Sequence, residues 1–158
     1  MSRILAAIVL LSVLFVSCNR DAIYDQSVLI PNETWNADTL ATFTVPVTDT
    51  VVAYNLYVNL RNTPDYQFQN LYLFIDIHAP NGAFLRDTFE CYLADNHGKW
   101  LGRGRGKIFD NRFPYRQAVK FSTTGNYRIE LQQAMRVDNL KGLVNVGVRM
   151  EQDKTSNK

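Results

Sequence analysis

Residues 71–93 read LYLFIDIHAPNGAFLRDTFECYL, and the fold turns on them. Leu71, Leu73, Ile75 and Ile77 alternate with Tyr72, Phe74, Asp76 and His78. A period of two puts each set on its own face of an extended strand. Both faces are apolar at the start, so this strand is expected in the middle of a sheet. Ala79-Pro80-Asn81-Gly82 reads as a tight turn, with Asn-Gly supplying the positive φ angles that a hairpin needs. Phe84 to Leu93 then returns antiparallel. Cys91 falls between Phe89 and Leu93, on the side of Leu85, where a small buried hydrophobe fits.

The same alternation extends in both directions. Upstream, Phe43, Val45 and Val47 form one face of a strand. After the turn Thr48-Asp49-Thr50, Val52, Tyr54, Leu56, Val58 and Leu60 form one face of the next. Arg61-Asn62-Thr63-Pro64-Asp65 has the composition of a turn. Downstream, strands are expected at 107–110, 119–122, 127–133 and 143–150, the last with Val144, Val146 and Val148 on one face; residues 133–140 could hold a helical turn. Many short strands without interleaved helices specify an all-β fold: a single antiparallel β-sandwich, with the jelly roll as one arrangement.

The ends of the chain carry a different signal. Arg3 precedes an apolar run from Ile4 to Leu11 that continues past Ser12 to Val16, the plan of an export signal. It is too short for a transmembrane helix of about 20 residues. Phe15-Val16-Ser17-Cys18 resembles a lipobox, in which the cysteine receives diacylglycerol and becomes the first residue. The expected organisation is a signal at 1–17, a lipidated N-terminus and tether at 18–34, the sandwich at 35–152 and a polar tail at 153–158. Of two cysteines, lipid on Cys18 leaves Cys91 without a disulfide partner. Loss of Arg3 takes the formal charge from +2 to +1, which gives no warrant for nucleic-acid binding.

Few residues point to chemistry. Gly102-Arg103-Gly104-Arg105-Gly106 invites a phosphate-loop reading, but GxxxxGK[ST] is absent and no helix follows, so a flexible loop is expected. Trp100 beside it reads either as a recognition residue or as a cover for one end of the sandwich. Asp76 and His78 share a strand face, yet with Asp95 and His97 at unknown distance they make too few ligands for a metal site. No GxSxG or HExxH occurs, and nothing positions Asp87 and Glu90 as a catalytic pair. The expectation is no catalytic residue, metal or cofactor. A glycan-binding or glycan-processing sandwich is the alternative; it requires two or more of Trp35, Tyr72, Tyr92 and Trp100 exposed beside carboxylates.

Three clusters share an order and spacing: Arg61-Asn62 leading to Tyr66, Asn70 and Leu71; Asp87-Thr88-Phe89-Glu90 leading to Leu93-Ala94-Asp95 and Gly98-Lys99-Trp100-Leu101-Gly102; and Gln133-Ala134-Met135-Arg136 leading to Leu140, Gly142, Val146-Gly147 and Arg149. With Cys18-Asn19 and Tyr24-Asp25, the whole mature chain resembles the gliding-motility lipoprotein GldH family of Bacteroidetes. The resemblance implies a non-enzymatic envelope lipoprotein that meets other gliding or type IX secretion proteins. No Asp follows Cys18 directly and the acidic cluster of surface-directed lipoproteins is missing, so the anchor is expected in the outer membrane with the domain facing the periplasm. Arg61, Trp100, Arg103, Arg105 and Arg136 are the candidate partner-binding residues, and Arg136 is also expected to pair with Asp87 or Glu90. In that phylum Asp38-Thr39-Leu40 and Asp49-Thr50-Val51 resemble O-glycosylation acceptors, at Thr39 and Thr50.

Overall fold

The computed structural model describes residues 22–155 apart from Arg105. The signal at 1–17, Cys18 and the last three residues of the tail lie outside the described residues. Ten strands run in chain order: β1 Ala22–Leu29, β2 Thr34–Asn36, β3 Ala41–Val47, β4 Tyr54–Asn62, β5 Asn70–His78, β6 Phe84–Tyr92, β7 Phe109–Val119, β8 Gly125–Gln133, β9 Asn139–Lys141 and β10 Leu143–Gln152. One four-stranded sheet has the order β1-β10-β4-β7 and the other β3-β8-β5-β6, with a short β2-β9 ribbon at one end. All pairings are antiparallel. Setting the ribbon aside, the first long strand pairs with the last, the second with the second-last, and so inward to the β5–β6 hairpin. That nesting is the jelly roll.

The core follows from the period-two pattern. Phe43, Val45, Leu56, Val58, Leu71, Leu73, Ile75, Ile129, Leu131, Val146, Val148 and Met150 are buried between the sheets. β5 is flanked by β8 and β6, the central position expected of it, while its outward Tyr72 and Phe74 stay partly exposed. Pro46 and Pro114 sit on β3 and β7. Both are edge strands, where a missing N–H costs no ladder bond. Trp35 fills one end of the core, with its indole N–H donating to the Thr39 carbonyl at 2.8 Å.

Several sequence expectations are corrected. The tether expected at 18–34 is shorter: from Ala22 the chain is β1, paired with β10 from Ala22↔Glu151 to Leu29↔Asn145, followed by a 3-10 turn at Pro31–Glu33. β1 is an edge strand exposed along most of its length, so ladder pairing holds it and no burial pattern marks it. The tail begins later than 153. Asp153 is buried, its N–H donates to the Ala53 carbonyl at 2.8 Å, and its carboxylate accepts from the Thr155 amide and hydroxyl.

Residues 133–140 hold no helical turn and lead into β9 instead. The strands expected at 107–110 and 119–122 give way to one strand, β7; its charged residues and Pro114 hide it from pattern reading. A register shift between Leu143 and Asn145 turns Leu143 rather than Val144 into the core. At the β5–β6 turn only Gly82 of the Asn-Gly pair has positive φ, 85°. Its N–H donates to the Ala79 carbonyl, and the Ala79 N–H to that of Ala83, so the expected hairpin turn is a three-residue loop closed by a glycine bulge.

Candidate partner-binding surfaces

The sandwich has two ends. The lower end gathers Ala22, the β3–β4 loop, the β5–β6 hairpin and the β7–β8 loop; the upper end gathers the β2–β9 ribbon and the long 93–108 loop. On the upper outer face of the β1-β10-β4-β7 sheet lies a polar groove of about 810 Å³, bounded among others by Asp25, Asn59, Arg61, Arg103, Asp110 and Arg112. Alternation puts Asn59 and Arg61 on the outward face of β4, because Val58 and Leu60 face the core. Cross-strand register then sets Arg61 opposite Asp110 and Asn59 opposite Arg112. Arg61 pairs with Asp110, and an isolated bridge joins Arg103 to Asp110. Asp110 therefore gathers two of the candidate arginines at one wall.

Across the groove floor runs a row of polar contacts. Arg112 donates to Asn59, Asn59 donates to Asp25 at 3.2 Å, and Arg149 reaches Asp25 at 2.5 Å and Glu151 at 2.6 Å. The Arg149 side chain is 3% exposed although it lies on an outer sheet face. Gly147 next to it leaves no room for a side chain: a Cβ there would meet the Gln26 carbonyl oxygen at 2.6 Å. Asp25, Asp110 and Arg149 were not singled out by sequence as site residues. Their signal lies in pairing partners far apart in the chain, which no local window contains.

The other candidates scatter. Trp100 is half-buried, with its ring 5.7 Å from Phe109 and 6.4 Å from Tyr66; it covers the upper end of the sandwich. Arg136 is exposed and does not pair with Asp87 or Glu90. Asp87 instead receives Tyr115 and Arg116 from β7, which ties the two sheets at their edges. Glu90 accepts from Asn70 at 2.5 Å. Arg105 lies outside the described residues. Thr39 is exposed at the upper end and Thr50 half-exposed at the lower. Cys91 is buried, and burial pushes its thiol far above the usual range.

A second surface lies on the outer face of β5 and β6. Tyr72 and Tyr92 are 39% and 55% exposed and stand beside Glu90, whose carboxyl is held below its ordinary range by the Asn70 amide and by both tyrosine hydroxyls. Trp35, in contrast, is buried. Further down the same face Asp76, His78 and Glu130 offer ligand atoms within 4.8 Å of one another. Arg86 already grips both Asp76 oxygens, at 2.6 and 2.5 Å, and His78 is 3.0 Å from Glu130. Asp95 and His97 are not part of this cluster; the Asp95 carboxylate accepts the backbone N–H groups of His97 and Lys99 in its own turn.

These features define a single-domain β-sandwich that offers open, polar and aromatic surfaces. The family model described as GldH lipoprotein matches residues 22–150. The chain is 35% identical over 146 residues to a gliding motility lipoprotein GldH homolog of Christiangramia forsetii, covering 88% of this chain and 89% of that one. It is 34% identical over 152 residues to the gliding motility lipoprotein GldH of Flavobacterium johnsoniae, covering 92% and 94%. Dimeric latent PorU from Porphyromonas gingivalis matches with a TM-score of 0.31 and 13% identity, over 87% of this chain and 13% of that one; nothing is built on it. The chain belongs to the GldH lipoprotein family. It is a gliding-motility lipoprotein of the cell envelope.

Proposed function

We propose that this protein is a non-enzymatic accessory of the gliding and type IX secretion machinery, anchored through lipid on Cys18, in the outer membrane and facing the periplasm. It acts by binding another envelope protein through the groove on its β1-β10-β4-β7 sheet. The observation that carries the reading is the gathering of two exposed arginines at one wall of that groove: Arg61 pairs with the Asp110 carboxylate, and a backbone bridge sets Arg103 beside it. A broad, shallow, polar surface with arginines at its centre suits a protein partner. Arg61 is paired with Asp110 and Arg149 with Asp25 and Glu151, so a partner can exchange these charges for its own without leaving a bare charge behind.

The test is recovery of partners from crosslinked membranes with the tethered protein and with Arg61→Glu plus Arg103→Glu. Both positions are exposed, so the double variant keeps the fold. Gliding or secretion components should accompany the parent and be lost from the variant. Equal recovery by both, or no such component with either, refutes the reading.

A second reading, a glycan-binding sandwich, is favoured by Tyr72 and Tyr92 beside Glu90. Aromatic faces stack on sugar C–H groups and a carboxylate takes paired hydroxyls. Glycan-array binding that Tyr92→Ala abolishes would support it, and the absence of binding would remove it.

A further inference from the structure

We propose that the lower end of the sandwich, built from the start of β1, the β3–β4 loop and the β5–β6 hairpin, rests on the surface of the bilayer. The inference rests on the lipid-anchored reading of Cys18. Three residues separate Cys18 from Ala22, where β1 begins, and the four extended steps across them reach at most about 14 Å. The first paired residue of the fold is therefore confined close to the headgroups. β1 then runs away for eight residues, roughly 26 Å, which carries the upper end out of reach.

What this end offers fits a lipid surface. Val51 is 78% exposed at the tip of the β3–β4 loop. The loop is braced: the Val51 N–H donates to the Asp49 carboxylate at 2.7 Å, and the Tyr54 hydroxyl to the Asp49 carbonyl at 2.9 Å. Its side chain is thus held outward instead of folding back on the core. Ile23 and Phe84, 49% and 56% exposed, are at the same end, the latter opposite His78 in the register that closes the β5–β6 hairpin. The exposed Lys120 follows β7 there and suits anionic headgroups. A weak contact suffices, because the tether supplies a high local concentration of membrane. The upper end has exposed apolar side chains too, Leu29 and Leu101 among them, but they lie a strand length further from the tethered residue, and only a domain lying flat would bring them to the bilayer. The arrangement lifts the Arg61–Arg103 wall away from the membrane and brings Thr50, not Thr39, down to it.

The lipidated full chain in vesicles of equal parts phosphatidylethanolamine and phosphatidylglycerol tests this. Spin labels are placed at Val51→Cys and Leu101→Cys; Cys91 is buried and Cys18 is acylated, so neither competes for label. Position 51 should lose access to an aqueous nickel relaxant and gain access to oxygen, while position 101 keeps full nickel access. Equal nickel access at both positions, or lipid contact at 101, overturns the proposed orientation while leaving the anchor intact. Failure of the unlabelled parent to float with vesicles overturns the anchor, and the orientation with it.

Discussion

Gly142 is the residue at which a single methyl group should do most damage. Its φ is 84°, a conformation that costs an alanine about 1–2 kcal/mol. A Cβ there would lie 2.3 Å from the Tyr66 amide nitrogen and 2.6 Å from its Cα. Those atoms are backbone and cannot swing aside; the Thr63 N–H also donates to the Gly142 carbonyl at 2.9 Å, and the Gly142 N–H to that of Glu33 at 2.8 Å. Relieving the overlap means separating three loops, a further 1–3 kcal/mol by the usual scale of overpacking. Gly142→Ala should therefore cost about 2–5 kcal/mol. In a fold of this size that lowers Tm by roughly 6–20 °C. Gly98→Ala is the control: φ is 79° but nothing lies within 4 Å of a new Cβ, so the conformational cost of about 1–2 kcal/mol stands alone. Urea and thermal unfolding of the mature chain in a Cys18→Ala background measure both. Equal losses at the two positions would refute the packing argument.

Three further outcomes are expected. Arg149→Met removes the pairs to Asp25 and Glu151; because both acids keep some access to water, the cost should be about 1–3 kcal/mol, and hydrogen exchange should show β1 losing protection first. Asp76 is held below the ordinary carboxylate range, chiefly by its hydrogen bonds from Arg86. A depressed folded-state pKa stabilises above the unfolded value near 4 and is lost as pH falls through the folded value, so Arg86→Gln should shift acid unfolding to higher pH while leaving neutral-pH binding of partners unchanged. Cys91 should resist a thiol-specific dye in the native protein and react in step with global unfolding, since burial both hides the thiol and keeps it protonated; native-state labelling faster than unfolding would contradict its place in the core.

The central strands were legible because burial writes itself into sequence at period two: Leu71, Leu73 and Ile75 face the core whatever the rest of the chain does. β1 and β7 were not, and for the same physical reason. Edge strands are held by ladder bonds to one neighbour, and Tyr24, Asp25, Arg112 and Pro114 carry no burial pattern to read. The candidate site divides similarly. Arg61 and Arg103 were visible as arginines next to turn and glycine signals, and the fold brings them to one wall. Trp100 was left between two readings, and its contacts with Tyr66 and Phe109 settle it as a cover for the upper end. Asp25, Asp110 and Arg149 became visible only through registers joining residues up to 124 apart, information that alternation within a strand cannot contain.

Nested pairing also explains why a short anchor suits this fold. The jelly roll places its first long strand beside its last, so β1, the strand that would follow a lipid on Cys18, is stitched to β10 in the middle of a sheet. Any pull from the membrane enters at Ala22 and runs along the β1–β10 ladder as shear, which loads many hydrogen bonds together instead of one after another. Arg149 closes that ladder from the outer face, joining Asp25 on β1 to Glu151 on its own strand. Were β1 to detach, the tether would lengthen by eight residues, roughly 26 Å of reach, and the groove would lose Asp25 and Ser27 from its wall. Anchor length, strand pairing and the shape of the groove are thus set by one strand. Tyr24-Asp25 near the N-terminus and Arg149 near the C-terminus belong to a single structural device, which would hold the proposed binding surface at a fixed height above the lipid of the proposed anchor.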